Sequence, residues 1–476
     1  MATRKQSGFL VQSTHGIKGN FELVVPAPAG DGMVFFWRNN DVGSLPWNGP
    51  TCFGSGNVEA VSLIQSNFGS KGNLEVVARV GNRLNAYWRM DHSPWTWSAP
   101  NNFASGVRGA PALIQSNHGT KGNFELVTPL ATGGLAHYWR NNDAGGYPWS
   151  GPFAFGSGTV DAVALIQGNF GSKGNLEVVV REGDRLAAYW RMDHAPWTWH
   201  GPYYFASGVR GTPSLIQSKH GTKGNFELVV PLVAGGLAHF WRNNDAGGFP
   251  WNGPFRFGSG NIDAVSLIQG NFGSTGNLEV VAREGDRLAF YWRMDHAPWT
   301  WSGPFYIGTE RAWSVSECVY GWDAKFLEEW ASITVRLQLN PDAGITAAVM
   351  DTLRTRWRNG IINKWSNRFA CRAPNGERRN LVFDVQWVNS NPHHAIRVRT
   401  GPARSNMSTW DTEDTGDVAS HEFGHMLGLP DEYADGNCPG RNPVNTGTVM
   451  DDNTEVVERQ VEGLCGFICG QDAVPV

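Results

Sequence analysis

Six near-copies of one unit, each of about fifty residues, fill the first two-thirds of this chain, a period in the propeller range. Leu-Ile-Gln or its variant recurs at Leu10-Val11-Gln12, Leu63-Ile64-Gln65, Leu113-Ile114-Gln115, Leu165-Ile166-Gln167, Leu215-Ile216-Gln217 and Leu267-Ile268-Gln269. A Gly-Asn strand start follows each, as in Gly72-Asn73-Leu74-Glu75-Val76-Val77. Then comes a Trp-Arg pair: Trp37-Arg38, Trp88-Arg89, Trp139-Arg140, Trp190-Arg191, Trp241-Arg242 and Trp292-Arg293. The units alternate. Odd ones carry Trp-Arg-Asn-Asn-Asp; even ones carry Trp-Arg-Met-Asp-His and then Pro-Trp-Thr-Trp. The true repeat is a doublet of about 102 residues, present three times, which favours a closed ring of six units.

Four short strands are predicted within a unit. In the fourth they fall at 164–167, 175–180, 185–191 and 202–205, with Glu182-Gly183-Asp184 placing a tight hairpin turn between the second and third. Four-stranded blades around an axis bury both faces and shield their edges. Residues 1–309 are therefore expected to form an all-β six-bladed propeller. Stacked β-solenoid coils are the rival, although their rungs are usually shorter.

The repeat signature stops near Thr309-Glu310, and residues 310–476 read as a second, α+β domain. Expected there are a strand over 331–339, a long helix over 342–365 and strands over 381–388 and 395–399. An edge strand at 405–410 would suit pairing with an extended peptide. A helix opens among the acids at 414–417, and a last one covers 453–464.

The helix opening at 414–417 carries His421-Glu422-Phe423-Gly424-His425, and Gly428, Pro430 and Asp431 follow. Positions four apart share a helix face, so the two imidazoles can bind one Zn²⁺ while Glu422 reaches a water on it. Ala419, Phe423 and Met426 fall on another stripe, suited to burial. Gly428 permits the left-handed turn that ends a helix, and Pro430 prevents its resumption. Asp431, or its neighbour Glu432, then arrives where a third ligand is wanted. The bland alternative is a surface helix with two chance histidines.

This segment resembles the metzincin metallopeptidases, whose long zinc motif ends in His or, in some branches, Asp. Thr448-Val449-Met450-Asp451 is the candidate Met-turn. The resemblance implies a metzincin-like zinc endopeptidase, acting on protein or peptide substrates, with one zinc per chain held by His421, His425 and Asp431. Glu422 would be the general base, Met450 the floor beneath the metal, and Tyr433 the oxyanion support in place of the family's Met-turn tyrosine. An acidic and amide cluster over 431–453 offers calcium as the alternative cation.

The repeat resembles bacterial propeller lectins of the tectonin-like and Photorhabdus-lectin type. The shared features are the Gly-Asn-Phe/Leu-Glu-Val-Val strand, the Tyr/Phe-Trp-Arg ending and the Phe-Gly/Ala-Ser-Gly turn, over residues 8–308. Some such lectins have seven blades. The resemblance implies binding of glycans or glycoproteins in pockets between blades. An indole face stacks on a pyranose, and Arg, Asn and Asp bond its hydroxyls, so the six Trp-Arg pairs are the candidate contacts. Trp95, Trp97, Trp197, Trp199, Trp299 and Trp301, in the Pro-Trp-Thr-Trp loops, are rivals. Several weak sites on one ring would gain avidity. The structural alternative is that each tryptophan packs neighbouring blades and each arginine is an internal donor.

A formal net charge of -4 gives no basic field for nucleic acid. No run of about twenty apolar residues exists to span a membrane. Met1-Ala-Thr-Arg-Lys-Gln-Ser shows no signal peptide. Of six cysteines, Cys52 stands alone, while Cys318, Cys371, Cys438, Cys465 and Cys469 suggest up to two disulfides with one thiol left over. Free buried thiols are the alternative. Bridges suit an oxidising location, so an extracellular protein released by a signal-independent route is expected, with the cytoplasm as alternative. The combined expectation is a secreted zinc endopeptidase carried to glycosylated surfaces by a lectin propeller. The alternative is a lectin or binding scaffold with a non-catalytic C-terminal metal-binding domain.

Overall fold

The computed structural model describes residues 5–476 except 29, 286, 373–375, 377 and 467–469. It divides into two compact units, Met1–Ala27 with Asp31–Ile307, and Gly308–Val476 with Pro28–Gly30.

The first unit contains six four-stranded antiparallel sheets, spanning 10–53, 58–105, 112–155, 162–207, 214–257 and 262–306. The innermost strand of each lies beside that of the next, and Leu10–Gln12 beside Ile262–Gln269 closes the ring. This is a six-bladed propeller. Its second strands are buried on both faces because each blade is covered by its neighbours; in Leu176–Glu182 the first five residues are buried. The recurring glutamine has a structural cause. Gln65 Nε2 donates to Lys71 O and Gly72 O at 3.0 and 3.1 Å, closing its own loop, while Oε1 accepts from Thr14 N of the preceding blade at 2.9 Å. At the seam, Gln12 Nε2 donates to Asn271 Oδ1 at 2.6 Å, and the N–H groups of Phe9 and Leu10 both reach Ser266 Oγ at 3.0 Å.

The second unit opens with a long hairpin, Gly308–Glu317 against Tyr320–Glu329, which continues into Ser332–Pro341. That strand pairs in parallel with Val382–Trp387 and His394–Arg399, and the latter with Thr409–Asp411. Helix α1 (Ala347–Trp365) lays Met350, Leu353, Trp357, Ile361 and Trp365 on the sheet, a three-and-four spacing that gives one apolar stripe. Helix α2 (Gly416–Met426) crosses it where Gly360 and Gly416 meet; a Cβ on Gly360 would lie 2.3 Å from the Gly416 Cα. Helix α3 (Glu458–Cys465) follows.

Four expectations change. Helix α1 starts at Ala347 rather than 342, because Thr346 is its N-cap and Asp342 N is bonded to Val398 O. The last helix starts at Glu458 rather than 453. The expected edge strand at 405–410 is a loop ending in Thr409–Asp411, which runs parallel to its neighbour. Cys318–Cys438 and Cys371–Cys465 are disulfides, Cys52 is also disulfide-bonded, and no free cysteine remains among the described residues, so the spare thiol is not found. Cys469 lies outside the described residues.

Candidate functional site

The blade junctions come in two kinds. At each, a buried glutamate from the second strand of one blade faces the Trp-Arg arginine of the next. At the junctions of blades 1/2, 3/4 and 5/6 the pairs are Glu22 with Arg89, Glu125 with Arg191 and Glu227 with Arg293. A histidine joins each: His15 Nδ1 lies 2.9 Å from Glu22 Oε1, His118 Nδ1 lies 2.8 Å from Glu125 Oε1, and His220 stands at the same position in the fifth blade. His137 and His239 add Nε2 contacts of 2.7 Å to Glu125 and Glu227. An indole covers each arginine, the guanidinium lying 5.3, 5.2 and 5.2 Å from the ring centroids of Trp95, Trp197 and Trp299. These three indoles are 43–45% exposed. The second loop tryptophans, Trp97, Trp199 and Trp301, are instead stacked at 3.9 Å on Phe53, Phe155 and Phe257.

These three junctions hold polar atoms that nothing satisfies. Nε2 of His15, His118 and His220 and Nε of Arg89, Arg191 and Arg293 are buried without a hydrogen-bond partner. Orphaned buried polar atoms are costly and rare, so six in three equivalent places call for a partner from outside the chain.

The other three junctions are closed. Phe68, Phe170 and Phe272 stand where the histidines stand. The arginines Arg140, Arg242 and Arg38 lie 3.8–3.9 Å over Phe124, Phe226 and Phe21. Their Nε atoms donate to Asn142, Asn244 and Asn40 at 2.7–2.8 Å. Here the doublet alternation takes effect. The second residue after the arginine is Asn in odd blades and Asp in even ones. Asp91, Asp193 and Asp295 turn to loop amides and to His92, His194 and His296, leaving the arginine Nε bare. At the closed junctions burial pushes Glu75 and Glu177 up to about 7 and Glu279 to about 8.

The predicted Trp-Arg pairs do not act as pairs. Consecutive strand residues face opposite ways. Arg38, Arg89, Arg191 and Arg293 are buried in junctions, with Arg140 and Arg242 half-buried there. Trp37, Trp139, Trp190, Trp241 and Trp292 are half-buried on the other face, Trp88 exposed and Trp190 stacked at 4.0 Å on His200. The sequence signal for the open junctions was the histidine of Asn-His-Gly, Thr-His-Gly and Lys-His-Gly, present only in odd units.

In the second unit, ligand atoms of His421, His425 and Asp431 lie within 4.8 Å of one another. Asp431 Oδ1 is 3.1 Å from His421 Nε2 and 3.2 Å from His425 Nε2. Each Nδ1 is held by a backbone carbonyl, Val449 O and Leu429 O, both at 2.8 Å, which orients Nε2 towards the shared point. Helix α2 stops at Met426, and Gly428 at φ 96° turns the chain so that Asp431 arrives. Glu432 points elsewhere, accepting from Thr446, Thr448 and Arg459 at 2.6 Å. Met450 packs under the helix where Gly424 leaves room; a Cβ there would meet its Sδ at 2.3 Å. Tyr433 donates to Asp431 Oδ2 at 2.8 Å. Burial raises the Glu422 carboxyl, whose Oε2 has no partner. The donor set of two imidazoles and one carboxylate fits a zinc ion. A cavity of 740 Å³ borders the cluster.

No protein-family model matches the sequence, and no curated protein does. Solved structures similar to the chain include the BP39L lectin from Burkholderia pseudomallei, at 21% identity and a TM-score of 0.44 over 63% of this chain and 83% of that one. An Aleuria aurantia lectin mutant in complex with Fucalpha1-6GlcNAc is 14% identical, with a TM-score of 0.45 over 61% and 93%. The SapL1 lectin in complex with alpha methyl fucoside is 13% identical, with a TM-score of 0.43 over 60% and 92%. These three neighbours are lectins and none is a peptidase, so the expectation of a zinc metalloendopeptidase acting on peptides is not upheld.

Proposed function

We propose that this protein is a multivalent lectin with three sugar sites, at the junctions of blades 1/2, 3/4 and 5/6, joined to a non-catalytic metal-binding unit. One observation carries the reading: buried, unpartnered His Nε2 and Arg Nε atoms recur beside an exposed indole at three equivalent places. A sugar supplies hydroxyls for both nitrogens and a C–H face for the indole, the mixture that Trp95, Trp197 and Trp299 require. The carboxylates of Glu22, Glu125 and Glu227 add acceptors. α-Fucosides are the first ligands to test, since two of the similar lectins were solved with fucose-containing sugars.

In the second unit, His421, His425 and Asp431 would hold zinc, tying helix α2 to the loop that follows it. Calcium is disfavoured, because two of the three donors are nitrogen. Disulfides suit an oxidising, extracellular setting.

A glycan array followed by calorimetry tests the reading. The expected result is one sugar class bound with three sites per chain. Absence of glycan binding, or hydrolysis of peptides by the zinc-loaded chain, would overturn it.

A further inference from the structure

The propeller carries a second cavity, separate from the junctions and on the ring axis. It measures 1380 Å³ and is lined by all six blades, through residues at and after the ends of the innermost strands, together with Lys5 and Gln6 ahead of the first. Its charge is one-sided. Lys5, Lys18, Lys71, Lys173, Lys219 and Lys223 line it, and no carboxylate does. The whole chain is net negative at -4, so this concentration of cations is local.

Four of these lysines are placed by the repeat. Lys18, Lys71, Lys121, Lys173 and Lys223 occupy one position of the Gly-x-Lys-Gly-Asn loop in five units, with Thr275 in the sixth. An aspartate holds the loop in each blade: Asp41 accepts from Lys18 N at 2.7 Å, Asp143 from Lys121 N at 2.8 Å and Asp245 from Lys223 N at 2.9 Å. Asp91, Asp193 and Asp295 bond the equivalent amides of Lys71, Lys173 and Thr275. Those carboxylates are thus engaged by backbone N–H groups, and none of them lines the cavity. The lysine side chains stay exposed, and none of Lys18, Lys71, Lys173, Lys219 and Lys223 forms a salt bridge among the described residues. Asn67, Asn117, Asn169 and Asn271 line the space between them, adding no charge.

Like charges gathered around one axis repel, and a bound polyanion removes that cost. The volume exceeds that of ordinary small-molecule sites, which run to about 1,000 Å³. A single small anion would meet only one or two of the lysines. We propose that the axial cavity binds one compact polyanion bearing several sulfate or phosphate groups, such as a sulfated oligosaccharide or a polyphosphorylated cyclitol.

Calorimetry on the full chain tests this, with a heparin-derived hexasaccharide, inositol hexakisphosphate and inorganic sulfate as probes. Expected is one polyanion per chain, bound far more tightly than inorganic sulfate and weakened at least about tenfold between 0.05 and 0.5 M salt. Binding of either polyanion supports the site, and the stronger one identifies the anionic group. Lys71→Gln with Lys173→Gln should weaken binding about tenfold, the scale of two exposed contacts. Arg83→Gln with Arg256→Gln, which removes the same charge elsewhere, should not. Both double variants should keep the sugar binding of the junctions and an unchanged melting temperature. No polyanion binding, several polyanions per chain, or equal loss in the lysine and arginine variants would overturn the proposal.

Discussion

The His118 ring, on the third blade, meets the Trp197 indole, on the fourth, edge-on with centroids 5.7 Å apart. The same contact recurs between His15 and Trp95 at 5.4 Å and between His220 and Trp299 at 5.5 Å. Each indole sits at positive φ, between 57° and 61°, where bulky residues are strained. The equivalent residues of the closed junctions, Leu45, Tyr147 and Phe249, also sit at positive φ, between 48° and 50°, so this turn belongs to every blade and the open junctions differ in the ring and the histidine it meets.

Removing one such indole should remove one site. Trp197→Ala is expected to lower the calorimetric stoichiometry from three sugars per chain to two, with the lost site weakened roughly tenfold or more, the scale of an aromatic contact. Phe249→Ala, at a closed junction, should leave the stoichiometry at three. Equal effects of the two substitutions would sink the assignment of open and closed junctions.

The closed junctions predict a pH dependence of stability. Glu75, Glu177 and Glu279 have folded values of about 7, 7 and 8, above the ordinary 4.5, because burial disfavours the anion. The folded chain keeps these protons in a window where the unfolded chain has lost them. Stability therefore falls as pH rises from about 4.5 to about 8 and is level beyond. The propeller should melt lower at pH 8 than at pH 6. Glu279→Gln should flatten the slope by an amount on the order of 1–3 kcal/mol. Calorimetric melting against pH reads this directly. Glu125 works the other way: burial would raise it, but hydrogen bonds from His118 and His137 hold it at about 2. Its contribution is present above pH 4.5 and is lost as pH falls towards 2.

The Cys318–Cys438 bridge ties the tip of the long hairpin to the loop beyond Asp431 and spans 120 residues. Tyr320 reinforces it by donating to Asp435 at 2.6 Å, and Trp322 Nε1 donates to His425 O at 2.9 Å. Closing so long a loop restricts the unfolded chain, so Cys318→Ser with Cys438→Ser should destabilise the second unit by about 2–5 kcal/mol. Denaturant titration measures it. Zinc affinity should fall with it, because the loop bearing Asp431 loses an anchor.

Much of this architecture was legible in the sequence for a physical reason. A doublet repeated three times can satisfy identical faces only by closing on itself, and His421 and His425, four residues apart on a helix, had to share a side. The open and closed junctions were not legible from the Trp-Arg pairs, because those pairs are the same at all six. The difference lies two residues on, in Asn40 against Asp91, and it acts within the blade, through whether the arginine Nε finds an acceptor. The hairpin at 308–329 escaped notice because its first strand has no buried residue and the alternation that marks a half-buried strand is weak. The loop at 405–408 was read as a strand on the strength of a function expected for it.

The proposed metal site yields the last prediction. Val449 O and Leu429 O fix the two imidazoles with Nε2 directed at Asp431, so the donors are set before any ion arrives. Preset donors favour tight binding, since little ordering remains to oppose it. Zinc at about 100 times its Kd should stabilise the second unit by about 2.7 kcal/mol, and a chelator should reverse this without moving the propeller transition. Calcium at the same concentration should do neither. Asp431→Asn should weaken zinc at least about tenfold, the range seen for disturbed metal shells. Glu432→Gln, whose carboxylate is engaged by Thr446, Thr448 and Arg459, should leave zinc content unchanged. Elemental analysis of the purified variants decides between them: equal loss of zinc in both would place the third ligand elsewhere.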